Sequence, residues 1–498
     1  MSMFMIRSKK YISIFASILV VFAFAACENY LGGDTNQDPN RVFEDDIGLD
    51  ALLPPVLVST SEAHYSVAFT FSRYAQHISF VGDVAQEETQ LTGAWTEIYL
   101  ATLNNLDVME KKATEANASH YLGIVKVMQA YNLSMATNAW ENIPWSDAFQ
   151  EGEFSPSYDS QEQIYSEIQT LLDDGIAELQ KSPSEFNEPG SDDIIYGGDI
   201  SKWIKTAYAL KARNAIHLTE KGAVAAANEA LSAVSNAYTA NDDDFQVAYN
   251  SDKNLNPWHT SAYLAAQTGN PAPDHADQLI DMMNGTSYPE EDPRLPIIAS
   301  NGGAAEYYGS ESGNFGINQD APDNSSNTAF TDETFHSRAD APIIMMTYAE
   351  MKFIEAEAAF LADNNGNAMA AGASQQAYDA YMEGIQANMD KLGVSASERD
   401  DYMNEASVDV GPGNLTMELI MKEKFKALFL NPEVYNDYRR YDFDNAIFKD
   451  LALPANHNPK LNGEWIQRAV YPSSELSRNS EEVGKAQKDI GTPMWFYN

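Results

Sequence analysis

Cysteine is all but missing from this chain. One thiol, Cys27, stands in 498 residues, which excludes a disulfide framework and paired-cysteine metal sites and leaves stability to a packed core. Basic residues are scarce too: 31 Lys and Arg stand against 73 Asp and Glu, a formal charge of -42 at pH 7. Such a chain repels phosphate backbones and anionic headgroups, so nucleic-acid binding is excluded. Beyond residue 26 no apolar run approaches the length of a spanning helix. The zinc-binding HExxH, nucleophile-elbow and phosphate-cradling glycine strings are also absent.

What is present begins with a leader. Arg7, Lys9 and Lys10 precede an apolar run from Tyr11 to Ala26 that ends in "AFAAC", too short to span a bilayer and built like a signal peptide over residues 1–26. Small residues directly before Cys27 resemble a bacterial lipobox, with Phe24 where that motif prefers leucine. Cys27 is therefore the expected lipidation site. Acyl chains bury roughly 0.8 kcal/mol per methylene, so three of them would make the anchor permanent. The expected contact with a membrane is through that lipid alone. The leader carries three basic residues and no acid, so its loss takes the charge from -42 to -45.

Residues 27–49 are polar and turn-rich and read as a tether, and residues 50–498 as one domain. Within it helical spacing dominates. Trp95, Ile98, Tyr99, Thr102, Leu103, Leu106 and Met109 follow one three-four stripe, and Tyr121, Leu122, Val125, Met128, Tyr131 and Met135 a second. The short link "TEANASH" makes them an antiparallel pair. Ser160 with Gln163 reads as a capping box opening a helix that buries Ile164, Ile168, Leu171, Leu172 and Ile176. Further helices are predicted over Asp199–Glu220 and the alanine-rich stretch after it, near Thr347, over Ser374–Leu392 and from Asn414. The fold class is mostly α, with paired helices of the tetratricopeptide kind but no regular 34-residue period.

Between about 241 and 342 the periodicity stops, and glycine, asparagine, proline and aromatics take over. So much irregular chain in one domain marks a binding surface. Sugar rings offer flat C–H faces and hydroxyl rims, which aromatic planes and amides recognise. Trp258, His259, Tyr263, Tyr307, Tyr308 and Phe315, interleaved with Asn301, Asn314 and Asn318, fit that chemistry. The principal candidates are Tyr307, Tyr308, Trp258, Phe315 and Asn314, with the glycines of "EYYGSESGNFG" expected to free the backbone and turn its aromatics outward. "NDDDF" at Asn241–Phe245 is a weak calcium candidate that lacks the helix-loop-helix calcium spacing. No other cofactor is expected.

Several strings together resemble one family: "ATNAWENIPWSDAF", "YDSQEQIYSEIQTLLDDGIAEL", "GDISKWIKTAYALKARNAIHL", "DPRLP", "PIIMMTYAEMKFIEAEAA" and "EKFKALFLNPEVYNDYRR". In this order they are similar to the SusD/RagB nutrient-binding lipoproteins. The resemblance implies a helical scaffold of tetratricopeptide-like hairpins and an irregular half that carries the ligand. It also implies a place on the extracellular face of the outer membrane, an oligosaccharide or sometimes a peptide as cargo, a SusC-like TonB-dependent transporter as partner, and no catalytic residues. In that family the region after Tyr65 faces the ligand, which adds His77, Asp83 and Trp95 as candidates. The rival reading is a glycoside hydrolase using a carboxylate pair, for which Glu306, Glu311 and Asp320 are the candidates. Trp140, Pro144 and Trp145 are expected to lock two helices, and Arg439 and Arg440 to pair with buried acids.

Overall fold

Several helix starts follow side-chain chemistry. Ser160 closes a full capping box with Gln163, and Asp199, Thr347, Ser374 and Thr416 each accept a backbone N–H of the first turn. The computed structural model describes residues 47–80, 86–184 and 187–498. The leader, Cys27 and nearly all of the tether lie outside the described residues, and so does Asp83.

Helix α1 (Leu49–Tyr74) is followed by α2 (Thr92–Thr96), which passes through a π-helical segment (Glu97–Leu103) into α3 (Asn104–Glu115). Then come α4 (Ser119–Trp140), α5 (Gln161–Leu179), α6 (Ile200–His217) and α7 (Thr219–Val234). Short α8 (Asp277–Asp281) and α9 (Leu295–Ile298) punctuate the irregular part. The last group is α10 (Tyr348–Asp363), α11 (Gln375–Leu392), α12 (Ala396–Met403), α13 (Met417–Ala427) and α14 (Glu433–Arg440). Consecutive helices pack as pairs: α4 on α5, α6 on α7 and α10 on α11, with α7 also against α10. Among the described residues no helix is long and apolar enough to cross a membrane.

Small residues set how closely the pairs approach. A Cβ on Gly123 of α4 would lie 2.5 Å from Leu179 Cγ, and one on Gly175 of α5 only 3.2 Å from the Gly123 carbonyl. At Gly384 a Cβ would meet the Phe353 ring at 2.9 Å, so α10 and α11 touch in the same way. Helix α4 departs from the one-sided stripe expected of it. All of it but Ser119, Leu122 and Lys126 is buried, because α1, α3, α5 and α6 surround it. The stripe from Trp95 to Met109 is buried except for half-buried Tyr99, and it crosses the π segment, which spacing alone did not announce.

Two-residue to four-residue strands tie the irregular part down. All pair antiparallel: β1 (Ile78–Ser79) with β5 (Asp274–His275), β2 (Ile143–Pro144) with β3 (Tyr158–Asp159), and β4 (Phe245–Val247) with β6 (Ile343–Met346).

The core is not purely apolar. Helix α13 buries Lys422, Glu423, Lys424 and Lys426. Glu423 accepts from Arg294 at 2.6 Å and pairs with Lys426 and Lys422 at 3.3 Å each. Asp292 takes Lys426 at 3.1 Å and a two-point contact from Arg294, and Glu290 takes Lys422 at 2.7 Å. Three cations and three carboxylates close into one buried set. Beside it, Arg440 and Lys424 share Glu357 and Asp437, and Arg213 with His217 holds Glu350 and Glu433. Arg440 thus pairs with acids as expected, but Arg439 does not. Its guanidinium donates to the carbonyls of Gln467 at 2.7 Å and Asn138 at 2.9 Å, between the rings of Phe71, Tyr435 and Phe496. Aromatic faces and carbonyl dipoles replace the carboxylate there.

Burial alone would raise the Glu423 carboxyl, but Lys426, Arg294 and Lys422 hold it well below the usual range. Removing one partner of such a set leaves the others uncompensated in a dry interior. Glu423→Ala is expected to cost about 3–5 kcal/mol, read from the urea midpoint, whereas exposed Glu220→Ala should change it by less than about 0.5 kcal/mol.

Candidate ligand-binding site

The two regions proposed from sequence, 65–83 and 255–320, meet at the β1–β5 pair. Ile78 pairs with His275 and Ser79 with Asp274, Ser310 N–H donates to the His275 carbonyl at 2.8 Å, and Ser79 Oγ to the Glu311 carbonyl at 3.4 Å. The "YYGSESGNF" segment therefore lies along a strand edge. Its glycines act by close approach: a Cβ on Gly309 would sit 2.7 Å from the Ala276 backbone, and one on Gly313, at φ +87°, 2.6 Å from Asn456 N. Neither presents an aromatic outward by flexibility, as the sequence reading had it.

Tyr307 and Tyr308 are both half-buried. The Tyr307 carbonyl accepts from Asn284 Nδ2 at 3.1 Å, and Tyr308 exchanges backbone contacts with Asn327, donating its N–H to Asn327 Oδ1 at 2.8 Å. Tyr307 lines a cleft of about 450 Å³ with Asn284, Glu291, Glu306, Asp401 and Glu405 around its rim and Asp292 and Tyr402 beneath. Burial raises the Tyr307 phenol. Among the described residues no Lys or Arg lines this cleft. It suits a neutral or cationic ligand with a flat face for Tyr307 and hydroxyls for the carboxylates. Asn314 Nδ2 donates to Glu311 Oε2 at 2.9 Å and forms the turn on which half-buried Phe315 stands.

Trp258, His77, Trp95 and His259 are interior, whereas Tyr263 and Asn301 are half-buried. Trp258 is 4% exposed, not open to solvent. Asn256 Oδ1 accepts from its N–H at 2.6 Å and turns the chain inward, where the indole stacks on Phe69 at 5.8 Å and meets the Tyr65 edge at 5.0 Å. His77 is fully buried: Leu430 N–H donates to its Nδ1, so Nε2 carries the proton and donates to the Phe425 carbonyl at 3.1 Å. Burial, reinforced by His336, takes its pKa down to about 3 against the Phe425 contact, so it stays neutral. Trp95 is buried on the edge of Trp140 at 5.0 Å and belongs to the helix packing. His259 is buried too, on the Ser337 carbonyl.

Of the three acids proposed for calcium, Asp243 and Asp244 are held by lysines and Asp242 is exposed. Asp243 pairs with Lys205 and Asp244 with Lys391, both at 2.7 Å. Among the described residues no group of three or more His, Cys, Asp or Glu is disposed to hold a metal ion. Of the carboxylates named for hydrolysis, Glu306 is on the cleft rim, and Glu311 is engaged by Asn314 and by Gln319 N–H at 3.1 Å.

Sequence reasoning missed two features. Asp274 is a hub: its carboxylate accepts from Ser310 Oγ at 2.9 Å and from Ser326 Oγ, Thr328 Oγ1 and His275 N–H at 2.8 Å each, holding both ends of the 308–328 loop. The serines and threonine that recur through that loop were the available signal. The second is an aromatic column in which half-buried Phe80 meets Phe69 at 5.6 Å, Phe69 meets Trp258, and Trp258 meets Phe330 at 6.4 Å. Its outer end is Phe80, with the Arg73 guanidinium 5.3 Å over the ring.

A scaffold of paired helices with a tyrosine-lined cleft built on strapped loops defines the class: an α-helical, tetratricopeptide-type ligand-binding protein. The chain belongs to the SusD-like family, described as starch-binding and associating with the outer membrane, whose model matches residues 44–472. A SusD/RagB family protein from Bacteroides thetaiotaomicron superposes with a TM-score of 0.72 at 22% identity, over 91% of this chain and 99% of that one. A chitin-binding protein gives 0.73 at 21%, over 90% and 100%, and a chitin-binding SusD homolog from Flavobacterium johnsoniae 0.70 at 19%, over 90% and 98%. No curated protein matches.

Asp274→Ala removes the acceptor shared by three loop hydroxyls and the His275 N–H. It is expected to destabilise by about 1–3 kcal/mol, with faster amide exchange confined to 308–328. Asp281 supplies a pH test. Burial first, then the charge of Asp277, raises its pKa to about 6, and Asp277 is raised to about 6 by burial and Glu311. Between about pH 4 and pH 6 the folded chain keeps protons that the unfolded chain has released, so these groups lower stability as pH rises through that window. Asp281→Asn cannot ionise and, allowing for the part of the carboxyl that water reaches, should stabilise by about 1 kcal/mol at pH 7 and by nothing at pH 3, measured by thermal unfolding.

Proposed function

We propose that the protein is a cell-surface lipoprotein, anchored through Cys27 to the extracellular face of the outer membrane, that captures an extracellular oligosaccharide and passes it to a SusC-like TonB-dependent transporter. It acts by binding and performs no reaction. The observation that carries this reading is the Tyr307 cleft, an aromatic face among hydrogen-bonding side chains on a scaffold of the starch-binding family. The chitin-binding relatives of the same fold support a glycan as ligand. A rim of carboxylates without a cation disfavours sulfated and uronic chains and leaves neutral glycans as the ligand class.

Tyr307→Ala with Tyr308→Ala is expected to weaken oligosaccharide binding tenfold or more, with the helical circular dichroism unchanged. Titration calorimetry with starch and chitin oligosaccharides measures it, and an unchanged affinity would move the site away from this cleft. Cells lacking the adjacent transporter should still bind the glycan but no longer import it.

A further inference from the structure

A second cleft, sharing no lining residue with the Tyr307 cleft, opens at the first helix pairs. It has a volume of about 690 Å³ between α3, α4 and α5, with the turn after β2 as its wall. The sequence reading gave Trp145 a locking role with Trp140 and Pro144. The last two are buried and do lock helices, but Trp145 and Phe149 remain half-buried and line this cleft. Their rings meet at 6.3 Å and 72°, and Phe149 stacks further on Tyr99 at 6.5 Å.

The wall is held rigidly. Asp159 of β3 accepts from Trp145 N–H at 3.1 Å, Ser146 N–H at 2.7 Å and Ser146 Oγ at 2.8 Å, so the turn that carries the indole is fixed before any ligand arrives. Opposite it, Glu110 accepts from Lys126 at 2.6 Å and from Gln129 Nε2 at 2.9 Å, and Lys111 pairs with Asp107 at 2.6 Å. Gln129 is 2% exposed, and its Oε1 has no hydrogen-bond partner. That oxygen is itself closed off from solvent, so the polar groups the cleft offers a ligand are Glu110 and Lys126.

We infer that this cleft is a second carbohydrate site, taking a neutral pyranose chain with a C–H face against Trp145 and its hydroxyls toward Glu110 and Lys126. Its lysines are paired, and Glu115 and Glu167 add uncompensated charge, so an anionic sugar is disfavoured. A packing role alone accounts for Trp140 and not for an open indole beside hydrogen-bonding groups. The inference rests on the reading of the protein as a glycan binder but places a contact outside the Tyr307 cleft.

The probes are maltohexaose and the chitin hexasaccharide, titrated calorimetrically into the purified protein. The hexasaccharide that binds should show two classes of site. Trp145→Ala and Phe149→Ala should each weaken one class tenfold or more, and Tyr307→Ala with Tyr308→Ala should weaken the other. Where Trp145→Ala loses helical circular dichroism, Trp145→Phe replaces it, and ligand should then cease to shield one tryptophan from iodide quenching. A single class, insensitive to Trp145 and Phe149 but lost with the tyrosines, overturns this inference and leaves the Tyr307 reading intact. Loss of transporter pull-down with glycan binding unchanged overturns it in favour of a protein contact. Absence of binding to the unaltered protein overturns both readings.

Discussion

The buried ion set around α13 is the interaction on which the rest of the structure depends. Desolvating a charge costs several kcal/mol, and only a closed set with full hydrogen bonding offsets that. Here Glu290, Asp292 and Glu423 balance Arg294, Lys422 and Lys426, and the pairs at Glu357, Asp437 and Arg440 balance next to them. Such contacts are directional, unlike apolar packing. A slip of α13 by one residue would strand every one of its four buried charges, so the helix has one register against α10, α14 and the chain before α9.

The same set lies under the candidate site. Asp292 and Tyr402 belong to it, Tyr402 donating to Glu423 Oε1 at 2.8 Å, and both also form the bottom of the Tyr307 cleft. The loops above borrow rigidity from below through these residues and from the side through Asp274. A region with so little regular structure can then hold a tyrosine in one place, as recognition of a sugar face requires.

Much of the scaffold was legible in sequence because helical spacing and caps are local. Ser160 with Gln163, Thr347 and Ser374 announced their helices, and the irregular span 241–342 was recognised from composition. The strings that carried the family resemblance prove to be the polar interior itself: Asp292 and Arg294 in "DPRLP", Glu350 and Glu357 after "PIIMM", Glu423 to Arg440 in "EKFKALFLNPEVYNDYRR". The site was legible only in part. Tyr307 fell at a cleft, but Trp258 and His77 went inward, because whether an aromatic faces water is decided by partners distant in the chain, here Phe69 stacking on the indole and Leu430 donating to the imidazole. Asp274 could not be singled out among so many acids, since its importance lies in three hydroxyl donors that only the fold assembles.

The meeting of Gly123 and Gly175 has a consequence for how this molecule can vary. With no side chain between the two backbones, α4 and α5 act as a single stiff plate, and almost any replacement at either glycine pries that plate apart. Heritable change is steered away from the frame and into the straps it carries. Replacements in the loops leave that plate untouched.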